Sequence, residues 1–147
     1  MSEPLLAVTD LGITIGAGHA VDGVTLALAP GETFALVGES GCGKSMTALA
    51  VMRLLPAAAT IVGGDIRFAG HDLLAMPESA MRRLRGGGMA MIFQEPATSL
   101  NPVMTVGAQI GEALRLHGQA SDRRVVELLE AVGIPDAERR AGEYPFQ

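Results

Sequence analysis

An α/β fold is expected for this chain of 147 residues, on three observations. Runs with strand character alternate with helix signals along the chain. The apolar fraction, 48% against 18% charged, is enough for a packed core. One strand-like run, residues 32–37, feeds straight into the glycine-rich segment 38–45 and from there into a helix.

Taken in order, residues 5–15 and 23–28 read as two strands joined by a glycine-containing turn at 16–19, an antiparallel hairpin. Pro30 and Gly31 turn the chain into residues 32–37, Glu-Thr-Phe-Ala-Leu-Val, a short run of the kind a buried strand shows. A helix rich in Ala, Leu and Met follows over 45–53. Residues 60–68 read as a strand, 77–85 as a short helix and 89–93 as a second buried strand, with Gly86, Gly87 and Gly88 as the hinge between the last two. Beyond them the period becomes helical. Val106, Ile110, Ala113 and Leu114 share one face over 105–117, and Val125, Leu128, Leu129 and Val132 share one over 121–132. Ser121 can cap the second of these helices, Gly133 and Pro135 end it, and the two stripes are expected to pack together.

The segment 38–45 carries the chemistry. Gly38, Glu39, Ser40, Gly41, Cys42, Gly43, Lys44 and Ser45 fit G-x-x-x-x-G-K-[ST], and Lys44 is the only lysine of the chain. Glycines at 38, 41 and 43 let the backbone wrap an anion with its N–H groups inward. The helix that follows adds unpaired amides and the positive end of its dipole, equivalent to roughly half a charge. Lys44 would reach the β- and γ-phosphates, and the Ser45 hydroxyl would ligate the Mg²⁺ that bridges them. The pattern therefore points to ATP with Mg²⁺, held by residues 38–45 and the adjoining Met46.

Composition weighs against other classes. A net charge of -5 and a pI near 5.1 argue against a surface for nucleic acid or an anionic membrane, since either needs a basic face. Arg82, Arg83 and Arg85 form the one basic run of note and read as a solvated helix face. Cys42, the single cysteine, has no intramolecular disulfide partner, which suits a reducing compartment, and fills a loop position where a small residue fits. The N-terminus has no signal-peptide pattern, and the most apolar stretch, 46–62, is broken by Arg53 and Pro56, so no direct membrane insertion is expected. His19, His71 and His117 read as surface or packing residues.

At 91–102 the sequence reads Met-Ile-Phe-Gln-Glu-Pro-Ala-Thr-Ser-Leu-Asn-Pro. Together with GESGCGKS and the preceding AVDGVTLALAPGE, it resembles the nucleotide-binding subunit of an ATP-binding cassette (ABC) transporter, of the oligopeptide, dipeptide and nickel importer branch. The resemblance runs from Leu5 to Gln147. It implies a P-loop NTPase core with an antiparallel β subdomain over 1–93, and a Q-loop with the start of a helical subdomain over 94–147. It also implies that Gln94 is the Q-loop glutamine, a Mg²⁺ ligand that orients the attacking water. The implied partners are transmembrane permease subunits, met by the helical segment, and a second ATP-binding subunit. The implied location is cytoplasmic, peripheral on the inner face of the cell membrane through the permease.

Two departures accompany the resemblance. Where the family stacks an aromatic side chain on adenine, the corresponding residue here is Ile15, with Val21 as a second apolar contact. The chain stops at Tyr144-Pro145-Phe146-Gln147, where the family continues into LSGGQ, the Walker B aspartate, the catalytic glutamate and the switch histidine. The expectation is an incomplete ABC ATPase domain that binds ATP and does not hydrolyse it alone, with uncovered sheet edges. Two alternatives come from other classes: a non-hydrolysing nucleotide-binding module that docks on a permease, and a soluble cassette ATPase of DNA repair or translation.

Overall fold

A computed structural model describes residues 3–93 and 99–147. The chain is built as two compact units, Met1–Arg82 and Arg83–Gln147. No helix among the described residues is long and apolar enough to cross a membrane.

The first unit is organised on a four-stranded antiparallel sheet in the order β2-β1-β3-β4. Strands β1 (Leu6–Ile15) and β2 (Gly18–Leu28) form the expected hairpin, but β2 begins five residues before the expected start at 23: the turn is only Gly16 and Ala17, and Gly18, His19 and Val21 already pair with Ile15, Thr14 and Ile13. Strand β3 (Ala59–Phe68) pairs along the other side of β1, and β4 (His71–Asp72) adds a short edge. The ladder between β1 and β3 shifts between Thr9 and Gly12. At that bulge Gly64 takes φ 94°, and a Cβ there would lie 2.6 Å from the carbonyl oxygens of Thr9 and Asp10. The extra residue resets the alternation, so Val8, Leu11 and Ile13 are all buried. With Val21, Ala50, Met52, Ile66, Leu73 and Met81 they make the core of this unit.

Helix α1 (Lys44–Val51) follows the glycine loop, and α2 (Glu78–Gly87) carries the chain from one unit into the next, with non-helical φ/ψ at Arg85 and Gly86. Arg53 ties the end of α1 to the segment before α2: its guanidinium donates to Leu73 O at 3.1 Å and to Met76 O.

Two expected strands are not formed. Residues 32–37 and 89–93 have no strand ladder, apart from one bridge between Arg85 and Met89, and Val37 and Ile92 are 89% and 98% exposed. A strand buried on both faces is held by neighbours that take up its amides and carbonyls on each side. Among the described residues no strand pairs with either run.

The second unit is helical. Helices α3 (Val106–Leu116), α4 (Asp122–Ala131) and α5 (Ala137–Ala141) gather around Val125, Leu129 and Ala137, with Val106, Ile110, Leu114, Val126 and Ala141 packed against them. Thr105 and Ser121 cap α3 and α4, each accepting an N–H at 3.3 Å. The stripes are narrower than expected: Ala113 and Val132 are exposed, Val132 because it lies past the last turn of α4. Gln109 folds back on the preceding turn. Its carbonyl accepts from Asn101 N at 2.8 Å, and its amide donates to Asn101 O at 2.9 Å and Met104 O at 3.0 Å.

Candidate phosphate-binding loop

Helix α1 begins where the loop ends. Gly43 caps it at φ 87°, ψ 1°, with no side chain supplying a cap hydrogen bond. A Cβ at Gly43 would lie 2.4 Å from Ala20 O and 2.9 Å from Val21 Cγ2, so both the backbone angle and the space demand glycine. Strand β2 is thus the floor on which the last turn of the loop rests. Thr47, buried in α1, reinforces that turn: its hydroxyl and its amide both donate to Gly43 O, at 3.1 and 2.9 Å.

Gly38 is needed for a different reason. Its φ is not positive, but a Cβ there would sit 2.6 Å from Cys42 Sγ and 3.9 Å from Lys44 Nζ. The thiol lies across Gly38 and closes the loop on itself. Gly41, at φ 84°, faces open space and is required by conformation alone.

Lys44 sits at the centre. Its ammonium donates to Gly38 O at 2.7 Å and Glu39 O at 2.6 Å, and approaches Cys42 Sγ at 3.3 Å. Two carbonyls therefore hold the group in place. The third N–H faces a weak sulfur acceptor that an anionic oxygen would displace. Among the described residues no carboxylate pairs with Lys44.

Cys42 N donates to Glu39 O at 3.3 Å and tightens the turn. Among the described residues the amides of Gly41, Gly43, Lys44 and Ser45 have no acceptor of their own. They cluster at the positive end of α1, where an anion replaces the missing partners. The Ser45 hydroxyl is exposed beside them, and Met46 is half-buried. Free amides, one tethered ammonium and one hydroxyl are a donor set that fits a polyphosphate with a hard divalent cation.

The other candidate residues lie as follows. Glu39 and Ser40 are exposed on the loop. Ile15, at the end of β1, is 43% exposed and offers an apolar surface, whereas Val21 is only 5% exposed and packs beneath Gly43. Gln94 lies outside the described residues. His19, His71 and His117 are exposed, and the His117 ring lies across Gly86. Sequence reasoning missed Ala20 and Thr47 as supports of the loop. A threonine four residues after Gly43, able to bond back to the cap, was a readable signal; the carbonyl of Ala20 left none.

A family model described as ABC transporter matches residues 21–147. The chain belongs to the ABC transporter family. That family binds ATP with Mg²⁺, in keeping with the donor set of the loop. Among curated relatives, a protein of Brucella abortus (strain 2308) named for peptide import as an ATP-binding protein is 48% identical over 154 residues, covering 99% of this chain and 46% of the relative. A similarly named protein of Brucella ovis is 54% identical over 138 residues, covering 87% of this chain and 41% of the relative. The chain thus spans about half the length of the curated relatives it matches. A solved ATP-binding subunit of an ABC transporter is 28% identical, with a TM-score of 0.74 over 97% of this chain and 55% of that one. A second structure, an ATP-binding cassette solved as a dimer with ADP and Pi, is 19% identical at a TM-score of 0.81 and shows the fold alone. The ABC ATPase fold is α/β, and this chain covers 62% of the second structure.

Proposed function

We propose that this ABC protein is the ATP-binding component of an importer for peptides, coupling ATP binding and hydrolysis to uptake through transmembrane permease subunits. The observation that carries the reading is the Lys44 ammonium, held by Gly38 O and Glu39 O at the mouth of a loop whose amides lack acceptors among the described residues. The loop would hold the phosphates. Lys44 would meet the β- and γ-oxygens, Ser45 would ligate Mg²⁺, and Ile15 would supply an apolar face to the base. Gln94 would complete the Mg²⁺ shell and orient water. The printed names of the relatives and the acidic charge support a transport role over one on nucleic acid.

The 147 residues carry no LSGGQ. Phosphoryl transfer depends on positioned charge around the γ-phosphate and on an oriented water, so these residues by themselves bind ATP without turning it over. The helical segment after Gln94, with its helices at 105–117 and 121–132, is the part that would face the permease, and a second ATP-binding subunit would complete the site. These assignments place the protein on the cytoplasmic face of the membrane.

Calorimetry and phosphate release test the reading together. The chain should bind MgATP, and Lys44→Ala should weaken binding about 10- to 100-fold, the range for a lost charge-assisted hydrogen bond. Steady phosphate release by these 147 residues, abolished by Lys44→Ala, would contradict the binding-only claim. Unimpaired peptide uptake in cells lacking the gene would contradict the transport claim.

A further inference from the structure

We infer that Glu39 makes this loop discriminate against metal-free nucleotide in favour of its magnesium complex, an inference that rests on the ATP-binding reading above. Glu39 contributes to the loop through its backbone: its carbonyl accepts from Lys44 Nζ at 2.6 Å and from Cys42 N at 3.3 Å. The side chain is exposed, and among the described residues its carboxylate makes no hydrogen bond or ion pair. A negative charge is thus tethered beside the rim of an anion cradle, and among the described residues no cation pairs with it.

Geometry bounds how far away that charge can be. A glutamate carboxylate reaches about 7 Å from its own carbonyl oxygen, so the 2.6 Å contact keeps it within about 10 Å of the Lys44 ammonium. Phosphates that meet Lys44 lie in the same range, inside the Debye length of about 10 Å at moderate salt and well inside about 30 Å at low salt. Across residues 38–45 the one ammonium and the one carboxylate cancel, leaving amide dipoles as the net attraction.

Repulsion from a fixed charge scales with the charge of the ligand. Magnesium removes about two negative charges from ATP, so the carboxylate opposes the free nucleotide about twice as strongly as the complex. A preference of about 2- to 4-fold for the magnesium complex at low salt is the consequence. Glu39 is a specificity-determining residue in this sense, acting through the field and not through contact.

Titration calorimetry of the protein with ATP plus a chelator, and with MgATP, tests this across a charge series. At about 10 mM salt, Glu39→Gln should tighten metal-free ATP about 5- to 10-fold and MgATP about 2- to 3-fold, and Glu39→Lys should extend both trends in the same order. At about 1 M salt the three proteins should converge. Equal factors for the two ligands, or no gain in either, would overturn the inference while leaving the ATP site standing. Failure of the wild-type protein to bind either ligand would overturn both.

Discussion

Gly43→Ala separates the two demands the structure places on the loop. An alanine at φ 87° sits in the left-handed region, at about 1–2 kcal/mol. Its Cβ would also lie 2.4 Å from Ala20 O, where carbon and oxygen normally keep about 3.3 Å or more. Backbone has to recede by about 0.9 Å, because the obstacle is a carbonyl and not the end of a flexible side chain, and overpacking of this kind costs about 1–3 kcal/mol. The combined loss is about 2–5 kcal/mol. Gly41→Ala is the control, since Gly41 has nearly the same φ, 84°, and a methyl there would meet nothing within 4 Å; it should lose only the conformational part, about 1–2 kcal/mol. Urea unfolding at constant m-value measures both. ATP affinity should fall more in Gly43→Ala, because its loop is pushed off β2. Equal losses in the two variants would refute the claim that β2 supports the loop.

Gly38→Ala should weaken ATP binding by pushing the Cys42 thiol into Lys44, and Cys42→Ala in the same chain should restore most of the loss, a coupling that a double-mutant cycle by calorimetry reads directly. Leu129→Ala, in the core of the helical unit, should cost about 2–4 kcal/mol and appear as lost amide hydrogen-exchange protection in α3, α4 and α5. The hydrogen bond from Arg124, and then the one from Arg123, hold the Glu127 carboxyl below its ordinary 4.5. Because the folded value is lowered, its contribution is present above 4.5 and disappears as pH falls through the lowered value. Acid titration followed by circular dichroism should therefore show α4 weakening in that window, and Glu127→Gln should flatten the change.

Elements that carry their own pattern were legible in the sequence. Strand β1, strand β3, helix α1 and the two capped helices α3 and α4 stand where alternation, period and cap residues put them, whereas β2 starts at Gly18 and not at 23, because the two-residue turn lets Gly18 and His19 pair back onto β1. Residues 32–37 and 89–93 failed for a physical reason: an apolar run reports that a segment is suited to burial, but not that a partner strand pairs with it. Strand β4 and helix α5 are too short for either period to register. At the loop, positive φ was readable as the reason for Gly41 and Gly43. The crowding of Gly38 by Cys42, and of Gly43 by Ala20, depends on side-chain and strand positions that no local pattern encodes.

On the proposed reading, the amides before and at the start of α1, gathered around Lys44, form a cradle for a polyphosphate. Amide chemical-shift mapping during titration with MgATP reads that contact residue by residue. The expected result is that Gly41, Gly43, Lys44 and Ser45 shift most and that Lys44→Ala moves the midpoint to an MgATP concentration about 10- to 100-fold higher. Saturable binding whose largest shifts fall elsewhere, with these four amides unmoved, would contradict it.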